Sequence, residues 1–378
     1  MSPSAEKFCL IEDRAQGTLH FAAPRRIVTA ATAAQVAPAL AALQQASREN
    51  LWAAGFVAYE CGHALEPRLR PLLGATPTPL LKFGLFDTPT RPPAPPADPP
   101  APDIAGLRPL WSFEDYRRRF EACRDYIAAG DVYQVNLTFP LTGRFAGDPT
   151  KLYQTLRPRQ PVEIGGIVAL GGDTIVSLSP EQFFSIEGRR IRTRPMKGTA
   201  PRGATPEQDR ALASRLAADE KNRAENLMIV DLLRNDLSRL SEVGSVEVTD
   251  LYTVESFPTL HQMTSGVEAV LRPGLSFCEI FAGLFPCGSV TGAPKIRAME
   301  IIAEQEVFAR GAYCGAIGVI APGGDMRFNV AIRTLTLGKN GALSCPVGSA
   351  IVADSQALEE YEECLLKARF LGTPTISA

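Results

Sequence analysis

Apolar positions along this chain change period several times, and each change marks an element. Residues 31–49 repeat apolar side chains at helical spacing, which predicts a helix. Pro38 falls inside that pattern, and a helix interior tolerates proline poorly, so the helix is expected to start late or to kink. "GFVAYECG", residues 55–62, is a short and nearly continuous apolar run that reads as a buried strand. After Trp111 helical spacing returns: Phe113, Tyr116, Phe120, Cys123 and Ile127 share a face, and Gly130 supplies the stop. From Glu163 to Pro195, apolar runs alternate with Gly-Gly-Asp and Glu-Gly turns, the pattern of an antiparallel meander. A second such region runs from Tyr313 to Asp354, with turns at "PGGD" and "KNG". Helices are read near 207–240, 276–284 and 294–305, and again from about 356. Strands and helices are grouped rather than strictly alternating, which predicts an α+β fold.

Composition changes this picture at one place. "TPTRPPAPPADPPAP", residues 88–102, carries eight prolines, and such a tract can fill neither a helix nor a central strand. The expected organisation is an N-terminal subdomain at 1–87, a Pro-rich linker at 88–110 and a main domain at 111–372. The rest is ordinary globular composition, 45% hydrophobic and 21% charged. A net charge of −2 without a long basic run argues against nucleic acid as a partner. The start of the chain lacks the pattern of a secretory signal, and no stretch approaches the ~20 apolar residues of a membrane helix. The eight cysteines form no CxxC pair, and His20, His63 and His261 lie far apart. Reduced thiols, no zinc site and a cytoplasmic location are therefore expected.

Candidate chemistry centres on "TRPMKGTAPRG", where a strand becomes a loop and one primary amine, Lys197, stands between them. The strands "EQFFSI" and "RIRTRP" flank Gly188-Arg189, and a tight hairpin there places Glu181 beside Lys197 at its open end. If burial tunes them, such a pair can act as nucleophile and acid. Spacing alone favours the plainer reading, a cross-strand ion pair worth about 0.5 kcal/mol. The helix "DEKNRAENLMIVDLLRNDLSRL" is apolar nearly all round and so expected to be buried, yet it carries Glu225, Asp231, Asn235 and Asp236. Buried carboxylates need a partner or a cation. In "ALEEYEECLLKAR", Glu360 and Glu363 share a face with Lys367 one turn on. Two oxygen donors from different helices plus an anionic ligand would suit magnesium, although a solvated acidic face is the simpler alternative. The loop "FPCGSVTGAPK" runs into a helix with Pro294 near its first turn, where backbone amides could receive an anion. Arg333, in an otherwise apolar run read as a strand, asks for a carboxylate partner or an edge position.

Six segments in order, "SLSPEQFF", "RPMKGTAPRG", "AENLMIVDLLRNDL", "FPCGSVTGAPKIRAMEII", "CGAIGVI" and "SAIVADS…EEYEECLLKA", resemble the chorismate-utilising enzymes. That family includes the first components of anthranilate and aminodeoxychorismate synthase, and the isochorismate and salicylate synthases. The resemblance covers about 110–372 and is only loose before the Pro-rich tract. It implies an anthranilate synthase component I-like fold, with antiparallel sheets packed as a central sandwich and helices outside. It also implies roles: Lys197 as covalent nucleophile, Glu181 as general acid, and Mg2+ held by Glu225 and Glu363 with Glu360 in the outer shell. Gly198 and Thr199 would line the ring of chorismate. Tyr313 and Arg333, with Gly348, Ser349 and Ala350, would grip its side-chain carboxylate.

Two positions select a branch. The family's water-using members carry a lysine where this chain has Gln134, and anthranilate synthases typically carry alanine where it has Lys197. Both positions resemble the aminodeoxychorismate-forming branch, which uses ammonia from a glutaminase subunit to make the 4-amino product for p-aminobenzoate and folate. The alternative is an anthranilate synthase component I or another chorismate lyase or isomerase. The pyruvate-eliminating members carry a histidine in the slot of Gln262, which weakens that alternative. Ala350 stands where glycine is common, and the N-terminal tryptophan-binding signature of the family is not recognisable.

Overall fold

The structure, a computed structural model, describes residues 7–92, 102–160, 162–257 and 260–372. Among these residues the strands form two antiparallel sheets, of nine and ten strands. An apolar layer lies between them, built from Cys9, Ile11, Phe21, Val168 and Ile175 on one side and Ala54, Phe56, Phe86, Ile317 and Val319 on the other. Successive strand residues face opposite ways, so each strand also feeds a second core under the helices. In Phe8–Asp13, Cys9 and Ile11 enter the inter-sheet layer while Leu10 faces the helical side. Burial on both faces explains why such runs look continuously apolar. The α+β class expected from the grouping of elements, and the sandwich of sheets that the resemblance implied, are both observed.

Local periodicity located most elements. The helix Ala33–Arg48 begins on time, with the Gln35 side chain accepting from Thr32 N at 3.2 Å, and it contains Pro38. "GFVAYECG" is split between the strand Trp52–Val57 and the short helix Cys61–Leu65.

Domain organisation is corrected. Phe8–Asp13 pairs with Ile164–Ala169 in the nine-stranded sheet, and Trp52–Val57 pairs with Ala316–Ile320 in the ten-stranded one. The first section is therefore woven into both sheets and is not a subdomain of its own; such long-range pairing leaves no trace in local composition. The supposed linker also ends early, because Asp103–Pro109 is a strand paired with Gln134–Ala146. Residues 93–101 of that tract lie outside the described residues.

The two meanders do not each stay in one sheet. Ile164–Ala169 and Thr174–Ser177 belong to the nine-stranded sheet, whereas Gln182–Glu187 and Arg190–Arg194 belong to the other. The later region makes the reverse change between Met326–Asn329 and Thr334–Leu337. The chain thus crosses between the sheets at 178–181 and at 330–333, and the crossings are tied together. Leu178 N donates to Arg333 O at 3.0 Å, Val330 N to Glu181 O at 3.0 Å, and Ser179 Oγ to Val330 O at 2.6 Å. Asn329 joins the sheets by donating to Ile164 O at 2.8 Å and accepting from Ile317 N at 2.9 Å. Each crossing ends on a candidate site residue, Glu181 in one and Arg333 in the other.

Candidate active site

A cavity of about 670 Å³ opens beside the double crossing. Glu181, Lys197, Gly198, Thr199, Glu225, Tyr313, Arg333, Gly348, Ala350, Glu360 and Glu363 all line it.

The hairpin at Gly188 closes as the sequence suggests, with Glu187 opposite Arg190 and Gln182 opposite Arg194. Its continuation differs. Beyond Pro195, Lys197 lies on a separate strand, Met196–Pro201, which pairs with Leu260–Val270. Lys197 and Glu181 therefore meet in the cavity and not across a ladder. Near Lys197 the ladder slips by one residue, since Met196 faces Thr264 but Thr199 faces Gln262. Such a bulge re-aims side chains. Gly198 permits it, with φ +81° and an Asn222 side-chain oxygen only 2.7 Å from where a Cβ would stand.

The electrostatics suit reactivity. Glu181 is 4% exposed, and its Oε1 has no hydrogen-bond partner among the described residues. Burial pushes its carboxyl up to about 7, against the opposing pull of the Ser289 hydroxyl and Lys197. Burial likewise lowers the Lys197 ammonium below its ordinary value, opposed chiefly by Glu225, whose carboxylate lies 4.0 Å from Nζ. An acid that keeps its proton near neutrality thus shares a cavity with an amine eased toward its neutral form.

The acidic wall comes from two helices. Glu225 projects from Glu220–Ser238, and Glu360 and Glu363 from Ala357–Leu366. Glu363 is 2.6 Å from Lys367 Nζ, which also donates to Gly348 O at 2.8 Å. Glu360 accepts from the Ser355 hydroxyl at 2.7 Å. The first of these helices is not buried all round, contrary to its apolar appearance: Asp231 and Asn235 are exposed, and Leu227 is 42% exposed. Its buried carboxylate Asp236 has a protein cation, Lys295, at 2.6 Å.

Tyr313 is buried, and burial raises its phenol so that it stays a neutral donor. Arg333 lies in the crossing and not in a strand, with φ +49°, and donates to Gln160 Oε1 at 3.0 Å; its partner is an amide and not the expected carboxylate. Two expected ligand contacts are absent from the cavity lining. Strand alternation turns Ser349 away, its hydroxyl 3.0 Å from Tyr116 Oη, while Gly348 and Ala350 face the cavity. Gln134 is fully buried behind the wall, its amide atoms unpartnered among the described residues, two positions from Asn136, which does line the cavity. The Gly-rich loop contributes Ser289 and Val290 to the lining, whereas no residue of the helix Lys295–Gln305 that follows it faces the cavity.

Sequence reasoning missed Asn136, Lys221, Asn222 and Ser289 as cavity residues. Ser289 lay within the loop singled out for anion binding, and Asn222 within the acidic helix, but nothing in the sequence distinguished them from their neighbours.

Glu225, Glu360 and Glu363 offer only oxygen donors, the chemistry magnesium prefers. Among the described residues no three acidic, histidine or cysteine side chains are gathered tightly enough to enclose an ion. The set fits magnesium as a partial site, leaving positions for water and an anionic ligand.

The sequence profile of the family described as chorismate binding enzyme matches residues 5–373. The chain belongs to this family. The match extends through the N-terminal part, where the sequence motifs alone gave only a loose likeness. Aminodeoxychorismate synthase component 1 of Klebsiella aerogenes is 44% identical over 252 residues, 67% of this chain and 56% of that protein. Anthranilate synthase component 1 of Thermus thermophilus is 42% identical over 261 residues, 69% of this chain and 56% of its own. The chain thus spans a little over half the length of these relatives. The crystal structure of anthranilate synthase component I from Streptococcus pneumoniae TIGR4 is similar, with a TM-score of 0.78 at 28% identity, covering 98% of this chain and 93% of that one. Among the described residues no helix is long and apolar enough to cross a membrane.

Proposed function

We propose that this protein is an aminodeoxychorismate synthase component I, replacing the 4-hydroxyl of chorismate by an amino group. The observation that carries the reading is Lys197 in one cavity with Glu181, a buried carboxyl with an oxygen unpartnered among the described residues. In this mechanism neutral Lys197 Nζ forms a bond to the cyclohexadiene ring. The ring double bonds shift and the C4–O bond breaks, while Glu181 gives its proton to the departing oxygen, which leaves as water. Ammonia then bonds to the carbon that lost the hydroxyl, the double bonds shift back, and the bond to Lys197 breaks. Glu181, now a carboxylate, takes up a proton released by the entering amine. The enolpyruvyl ether survives both steps.

Tyr313 and Arg333 would hold the enolpyruvyl carboxylate, and Gly198 and Thr199 the ring face. Glu225 and Glu363, with Glu360 outside them, would hold magnesium, which when bound supplies positive charge toward the ring carboxylate. Gln134 would act from behind the wall and not as a direct ligand. Ammonia must enter as the neutral species, because ammonium has no lone pair; a glutaminase subunit is the proposed source. Gln262 favours this reading over pyruvate elimination, since a carboxamide cannot serve as a titrating base.

Mass spectrometry of products from chorismate, magnesium and ammonium at mildly alkaline pH tests it. The expected product is an amine that retains the pyruvyl ether. Anthranilate with free pyruvate, or an isomer of chorismate, would replace this reading with the lyase or isomerase alternative.

A further inference from the structure

We infer that Gln262 is a positioning residue for Lys197, its carboxamide closing the bulge that aims the amine into the cavity. The inference deepens the proposed function, but its geometry stands without it. Between Met196 opposite Thr264 and Thr199 opposite Gln262, one strand has an extra residue. A bulge disturbs the ladder where it occurs, so a side chain must make up for the disturbed pairing. Gln262 does so: its Nε2 donates to Gly198 O at 2.7 Å, and its Oε1 accepts from the Thr199 hydroxyl at 3.0 Å. One side chain thereby fixes the two residues that follow Lys197.

The chemistry restricts what can stand there. The group must donate to a carbonyl and accept from a hydroxyl at once, without losing either capacity as pH changes, and a carboxamide does both. Ionised glutamate can only accept and would face the Gly198 carbonyl with charge, whereas leucine can do neither. Gln262 is 8% exposed and sits in the cavity wall beside Gly198 and Thr199. Its backbone is held firmly from behind. His261 Nε2 lies 2.9 Å from Asp209 Oδ1 and His261 Nδ1 lies 2.9 Å from Ser256 Oγ, while Asp209 receives two contacts from Arg202 at 2.7 Å. On the opposite side Asn222 presses against Gly198. The bulge therefore sits between a fixed strand and a helix, with the Gln262 carboxamide as its adjustable link.

The test uses the whole chain with Gln262→Glu, which is nearly isosteric, and Gln262→Leu. Acetic anhydride labelling of Lys197, measured on its peptide and normalised to exposed Lys339, is expected to rise severalfold in both variants, with melting temperatures close to wild type. With chorismate and ammonium, kcat is expected to fall about 10²-fold while KM for chorismate moves less than about threefold, the split that marks misplacement and not lost binding. A folded Gln262→Glu protein with wild-type labelling and wild-type kcat would overturn the inference. Altered Lys197 labelling in a protein whose wild type aminates nothing would sink the functional reading and leave this positioning role intact.

Discussion

Two buried acid–base groupings lie close together in this protein, and their bonding is opposite in kind. Arg310 is richly bonded. It donates to both Glu306 oxygens at 2.8 and 2.7 Å, to Val290 O at 2.8 Å and to Asn136 O at 2.7 Å, and its guanidinium lies 4.4 Å from the centre of the Tyr59 ring. Glu60 completes the cluster by accepting from Arg310 N at 2.6 Å. Lys197 and Glu181, by contrast, have a single ion pair at 4.0 Å and an unpartnered carboxyl oxygen. A buried charge left short of partners is costly, and the cost persists only where a ligand completes the set. The richly bonded cluster holds the wall, since Asn136 and Val290 both face the cavity. The sparsely bonded pair is the one to which the proposed function assigns the chemistry.

The contrast can be broken from either side. Glu181→Gln is expected to lower amination by about 10²–10⁴-fold by removing the proton donor, and Lys197→Ala somewhat less, since ammonia can still attack bound substrate slowly. Both variants should fold; steady-state rates with chorismate and ammonium, beside circular dichroism, check this. Equal rates in wild type and variants would assign the cavity to something else. Arg310→Met should do the reverse, costing about 3–5 kcal/mol in urea unfolding because Glu306 is left buried and unpaired. A stable Arg310→Met protein would show that richness of bonding is not what distinguishes the two groupings.

A smaller effect sharpens the comparison through pH. The folded carboxyl of Glu181 is raised to about 7 from an ordinary 4.5, so the folded chain holds this proton more tightly than the unfolded one. Its stabilising contribution is full below pH 4.5 and is lost as pH rises through about 7. The stability of Glu181→Gln relative to wild type should therefore grow across that interval, by at most about 3 kcal/mol. Parallel urea titrations at pH 4.5 and 8 measure it, and a constant difference would mean that Glu181 titrates normally.

Much of the cavity lining was legible because the candidate residues sit in short ordered segments. Lys197, Glu181, Glu225, Glu360, Glu363, Tyr313 and Arg333 were all read from the chain, and all face one cavity. A simple hairpin accounts only in part for Lys197 and Glu181 sharing a cavity, because the strand is interrupted at Pro195 and bulges at Gly198. Ser349 and Gln134 fell outside the lining because which way a strand residue points depends on register, which a motif does not report. The N-terminal strands were misjudged because their partners lie more than 150 residues away for Phe8–Asp13 and farther still for Trp52–Val57.

By itself the amino-acid sequence indicated most of the helices and the two meanders, that they form an α+β protein, and which titratable side chains occur in the family's motifs. Periodicity, turn residues and motif order are local properties, and they survive being read along a line. Tertiary structure alone decided that both meanders split between the two sheets, and that the two crossings lie side by side. It also decided that one carboxyl oxygen of Glu181 is buried without a partner among the described residues while Arg310 is buried with four hydrogen bonds from its guanidinium. Burial and hydrogen-bond satisfaction are properties of the packed surroundings, so the same acid or base acquires its character only once the sheets have closed around it.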